Sequence, residues 1–211
     1  MKKFILKLVL LSGLILGSCV GLFIFPVEDT ENYLLANVDK NEFLISAKSP
    51  KMVLVGGSSL AFGVDSYLIS KEIKVPVVNM GLHGGLGLVF MINEVKPHLK
   101  KGDIVLLVPE YELFIRPHGS STLIELLDLH PNSIRYLNLD QITTLIEFYP
   151  EYARSKIRRI LSSSSLLNMR TKGVYFRHAF NDNGDMIKHL DNSKSAFAKD
   201  ISLLPAPDIL F

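Results

Sequence analysis

Apolar positions along the chain fall into three regimes. Leu8 to Phe25 is 18 residues without a charge, preceded by Lys2, Lys3 and Lys7 and followed by Glu28, Asp29 and Glu31. As a helix it would be about 27 Å long, near the hydrocarbon thickness of a bilayer. From Lys51 to Val108, short apolar runs alternate with amphipathic stretches. Lys51–Val55, Val75–Asn79 and Ile104–Val108 read as buried strands. Ser66–Ile73 and Leu88–Leu99 carry helical spacing between them. Strand, helix, strand, helix, strand at this interval predicts parallel strands joined by right-handed crossovers.

Beyond Pro109 the spacing turns helical. Ser121–Leu129, Ser133–Leu137, Gln141–Phe148 and Glu151–Leu161 are expected as helices, divided by prolines and polar turns. Ser162–Ser165 reads as a loop, Gly173–Phe180 as a short strand, and Asn181-Asp182-Asn183-Gly184 as a turn. Residues 190–211 show no period. Pro26–Ser49 is expected as a stalk and lead-in segment, ended by Ser49-Pro50. The division is then 1–25 as signal anchor or transmembrane helix, 26–49 as stalk, and 50–211 as the α/β domain. Within that domain 50–115 bears the motifs and 116–180 a helical insertion. Three strands are few for a doubly wound sheet, so the domain is expected to be incomplete.

Charge narrows the partners. Lys+Arg is 23 against Asp+Glu 21, and without the first 25 residues 20 bases face 21 acids. That balance excludes a generally basic nucleic-acid binder, and no nucleic-acid motif or metal-spaced cluster stands out. One cysteine, Cys19, excludes an intrachain disulfide framework. Lysines before the apolar stretch and acids after it place the remainder outside the cytoplasm. An uncleaved anchor, a cleaved signal peptide and a lipoprotein acylated at Cys19, within Leu16-Gly17-Ser18-Cys19, all fit this pattern. The expectation is a single-pass membrane protein with its C-terminal domain extracytoplasmic. Arg154, Lys156, Arg158, Arg159, Arg170, Lys172 and Arg177 form a basic stretch, read as a solvated face partnered by Glu147 and Glu151.

Candidate chemistry gathers where the first strand ends, at Gly56-Gly57-Ser58-Ser59. In open parallel sheets ligands collect beyond the carboxyl ends of the strands. A serine there either caps the next helix or presents a hydroxyl beside amides that favour an oxyanion. The second strand ends in Asn79-Met80-Gly81, where a glycine amide can approach the same point. The glycines at 81, 84, 85 and 87 match neither a dinucleotide fingerprint nor a P-loop.

Gly57-Ser58-Ser59, the tail Phe62-Gly63-Val64-Asp65, and Val77-Val78-Asn79-Met80-Gly81 resemble the first two blocks of the SGNH/GDSL hydrolase superfamily. The resemblance is to its membrane-anchored branch, which includes the D-alanyl transfer protein of teichoic-acid modification and exopolysaccharide O-acetyltransferases. It covers roughly residues 50–115. It implies a flavodoxin-like three-layer fold and acyl-ester chemistry, with no cofactor. Ser59 would take the nucleophile position, and the amides of Ser59 and Gly81 the oxyanion hole. Cell-surface glycan or teichoic acid, and a membrane-bound acyltransferase, are the implied partners.

Two family blocks are missing from the sequence. The third strand runs into Pro109-Glu110-Tyr111-Glu112 rather than Gly-x-Asn-Asp, and no Asp has a His three residues later. Asp185 and His189 are one residue too far apart, and Asp128 and His130 one too close. A serine without a base is a weak nucleophile. His189 and His83 are the remaining base candidates, and Glu110 and Glu112 are candidate acid/base groups or plain loop acids. This chain alone is expected to be poorly active or inactive.

Overall fold

The structure is a computed structural model that describes residues 2–24, 29–161 and 173–190. Three strands, β1 (Met52–Gly56), β2 (Val77–Asn79) and β3 (Ile104–Val108), form a parallel sheet in the order β2-β1-β3. Met52 pairs with Val77 on one side and with Ile104 on the other. The connections carry α3 (Ser58–Gly63) and α4 (Ser66–Ile73) from β1 to β2, and α5 (Leu88–Val95) from β2 to β3. The apolar runs form strands because both faces of β1 are covered. Val53 and Val55 lie in the main core with Phe90, Met91 and Val95 of α5. Leu54, on the opposite face by strand alternation, packs with Leu60 and Val77 in a smaller cluster.

The expected stalk is part of the domain. Tyr33, Leu34 and Ala36, with Leu44 of α2 (Ala36–Ser46), are buried in the main core. The Tyr33 hydroxyl donates to the carbonyl of Leu82 at 2.7 Å. The Ser49-Pro50 boundary holds a cis peptide bond, and Lys51 just after it donates through Nζ to the Leu44 carbonyl at 2.6 Å. Residues 32–46 therefore pack on the sheet instead of standing off from it.

The helical part differs from expectation in two places. Residues 139–161 form one helix, α8 (Leu139–Leu161), with Pro150 inside it. An interior proline costs a helix about 3 kcal/mol, so packing has to outweigh it. Tyr152 and Lys156, two and six residues on, are buried against α7 (Ser121–Leu129), where Lys156 Nζ meets Asp128 at 2.7 Å. Ser133–Leu137 is a 3₁₀ turn over Pro131–Tyr136. The expected strand over Gly173–Phe180 reduces to isolated bridges, Asn32 to Phe176 and Phe180 to Met186, around a 3₁₀ turn at Arg177–Ala179. Three bases of the stretch meet acids other than Glu147 and Glu151. Lys156 pairs with Asp128, Arg159 with Glu125, and Arg177 with Asp39 through both carboxylate oxygens, at 2.6 and 2.9 Å.

β3 departs most from its sequence. All five residues, Ile104 to Val108, are 38–52% exposed although none is polar. Register places Val105 on the face of Val53, and Ile104 on that of Met52. Both faces of the strand are thus open. The opposite edge is closed, because the Asn79 amide donates to Asn183 O at 2.8 Å and Asn183 Nδ2 to Val77 O at 3.4 Å. Strand order β2-β1-β3 is that of the first three strands in a flavodoxin-like sheet, where a fourth would lie beside β3.

At the amino terminus α1 (Lys2–Ile24) exposes apolar side chains from Phe4 to Leu16. Among the described residues no helix is long and apolar enough to cross a membrane, so the anchor expected over 1–25 has no support here. The side chain of Cys19, the Ser162–Ser165 run, Arg170, Lys172 and residues 191–211 lie outside the described part.

Candidate functional site

Gly56 ends β1, Gly57 turns the chain, and Ser58 and Ser59 open α3. The Ser59 side chain is exposed, at the carboxyl end of the sheet. Its amide is not free. Glu110, two residues past β3, accepts from the Ser59 amide at 2.5 Å through Oε1 and from the Ser58 hydroxyl at 3.3 Å through the same oxygen. The carboxylate is seated against the turn so closely that a Cβ at residue 57 would stand 2.2 Å from its Oε2, and one at residue 84 would stand 2.9 Å away. Glycine at 57 is therefore the condition for this contact. Glu112 is exposed on α6 (Tyr111–Ile115) and 3.9 Å from Arg116, the residue that caps that helix.

The second expected oxyanion donor is also engaged. The Gly81 amide donates to Asn79 Oδ1 at 2.8 Å. Asn79 is fully buried at the end of β2, and its Nδ2 donates to Asp185 Oδ1 at 2.8 Å and Leu60 O at 3.1 Å. The amides of Ser59 and Gly81 thus serve different side-chain acceptors.

Among the described residues no histidine is hydrogen-bonded to Ser58 or Ser59. His83 is exposed, and its Nδ1 accepts from the Gly85 amide at 2.9 Å. The ring of His189 lies against Phe62, 5.3 Å between centroids, and its buried Nδ1 has no partner among the described residues. Asp185 does not orient it. That carboxylate is buried and accepts from the Ser66 hydroxyl at 2.6 Å and the Ser66 amide at 2.8 Å, besides Asn79. His130 Nδ1 is 2.9 Å from Ser133 Oγ, and burial lowers its pKa. Among the described residues no group of three His, Cys, Asp or Glu could hold a metal ion.

Behind the site lies a polar hub that the sequence did not suggest. Lys40 of α2 is buried, and its Nζ donates to the carbonyls of Asn79 at 3.1 Å, Gly184 at 2.6 Å, and Gly81. Burial pulls its pKa down to about 7, opposed by the charges of Asp185 and Glu94. Glu94 of α5 is buried too, accepting from Asn37 and Asn41, and burial pushes its pKa up to about 7. Lys40 sits at a polar position of a weakly amphipathic stretch, where an exposed lysine is the ordinary reading. The one signal was the density of polar turn residues around Asp185, a sign that its carboxylate has local donors. No family model, no curated protein and no solved structure matches this chain.

Proposed function

We propose that the chain is a membrane-anchored, extracytoplasmic SGNH-like serine esterase or O-acyltransferase acting on cell-surface polysaccharide or teichoic acid. The observation that carries this reading is an exposed Ser59 hydroxyl at the β1–α3 turn, at the carboxyl end of a parallel sheet. Its Oγ attacks the acyl carbonyl, its proton passes to a base, and the donor's alcohol leaves to give an acyl-serine. A sugar hydroxyl or water then attacks that ester and releases Ser59. The Ser59 amide meets the developing oxyanion once Glu110 lets go of it. The Gly81 amide joins it only where Asn79 lets go. The base is supplied from outside the described residues, by a partner or by further polypeptide. Without it the chain turns over slowly, since losing a triad member costs orders of magnitude in rate. A fluorophosphonate probe tests the reading. It should label the protein, and Ser59→Ala should abolish the label.

A second reading, a non-catalytic interaction subunit of a surface-polymer assembly, is favoured by β3. Five apolar residues open on both faces form the kind of surface that marks a contact site. Ester turnover by the chain alone would contradict it.

A further inference from the structure

We infer that Glu110 is an internal plug of the Ser59 site, holding the place of a substrate acyl oxygen until substrate or a partner displaces it. The inference rests on the hydrolase reading and adds to it how the site is kept shut. A loop carboxylate in water has no reason to adopt one position. Glu110 has three. Its Oε1 takes the Ser59 amide at 2.5 Å and the Ser58 hydroxyl at 3.3 Å, and its Oε2 lies over the Gly57 and Gly84 backbones, inside the space a Cβ would need. The β1–α3 turn, the glycine-rich loop and the end of β3 converge on this one group. A charge-assisted hydrogen bond to an amide is roughly twice as strong as a neutral one, so a neutral ester carbonyl competes poorly with it.

The same contact could be mistaken for catalysis, with Glu110 as base for Ser58. The geometry favours the plug. The shorter bond goes to the amide of Ser59, the donor an oxyanion needs. A carboxylate beside a forming oxyanion would repel it rather than stabilise it.

The test compares fluorophosphonate labelling rates of the full chain with those of Glu110→Ala and Glu110→Gln, after circular dichroism shows each folded. The plug predicts at least tenfold faster labelling of Glu110→Ala. It predicts an intermediate rate for Glu110→Gln, whose amide oxygen still accepts from Ser59 but without charge. Equal rates in all three would overturn the plug and leave the hydrolase reading standing. Slower labelling in both variants would make Glu110 a base and overturn it as well. No label in any of the three, under conditions that label a control serine esterase, would sink the hydrolase reading and the plug together.

Discussion

The ammonium of Lys40 reaches the carbonyl of Gly184 at 2.6 Å, joining positions 144 residues apart in the chain. With its bonds to the carbonyls of Asn79 and Gly81, this lysine fastens α2, the end of β2 and the 181–184 turn into one unit behind the serine turn. Replacement by methionine keeps the stem and leaves three carbonyls short of a donor. Lys40→Met should cost about 2–4 kcal/mol, read as a lower urea midpoint.

Lys40 and Glu94 set a pH dependence that can be worked out. A lysine lowered to about 7 in the native state binds fewer protons there than when unfolded. Its contribution makes stability rise between about pH 7 and the ordinary lysine range. A glutamate raised to about 7 binds more protons when native, so its contribution makes stability fall as pH rises from the ordinary carboxylate range to about 7. Urea titrations should show a shallow minimum near neutrality. Glu94→Gln should remove the acid-side fall, and an unchanged slope there would refute the assignment.

Asp185 ties α4 to the end of β2 through Ser66 and Asn79. Asp185→Ala strands two buried donors and frees the Asn79 side chain. The expected loss is about 2–4 kcal/mol by thermal or urea unfolding. A loss under 0.5 kcal/mol would mean that the network is not formed.

The two neighbouring glycines should behave oppositely. A Cβ at residue 56 would meet the backbone carbonyl of Val108 at 2.4 Å, and a strand backbone cannot step aside. Gly56→Ala should destabilise by about 1–3 kcal/mol. The three atoms nearest a Cβ at residue 57 all belong to the carboxylate of Glu110, the far end of a flexible side chain. Gly57→Ala should therefore stay folded and displace the carboxylate, giving probe labelling faster than that of the unmodified chain.

The sequence made the sheet legible and its surroundings less so. β1 and β3 could be placed to within about a residue because an uninterrupted apolar run between glycine and turn residues suits little else. The break expected at Pro150 failed because local propensity was outweighed by the burial of Tyr152 and Lys156 on α7. Lys40 could not be foreseen, since its partners are main-chain carbonyls, which leave no trace in side-chain pattern. Ser59 was visible as a residue type at a strand end. The Glu110 contact was not, because it joins positions 51 residues apart through a backbone amide.

β3 invites its own measurement. Leu106, 48% exposed, pairs with Leu54 in the sheet but has one flank open. Leu106→Lys should cost no more than about 1 kcal/mol in the isolated chain and reduce any concentration-dependent association seen by light scattering. A loss of several kcal/mol without a change in association would mean that this strand is already covered.

The most direct measurement is peptide mapping of the fluorophosphonate adduct by tandem mass spectrometry on the full chain and on Glu110→Ala. The account predicts a single adduct on the Ser59 hydroxyl, more abundant in Glu110→Ala. An adduct confined to Ser58, or one that persists in Ser59→Ala, would contradict it.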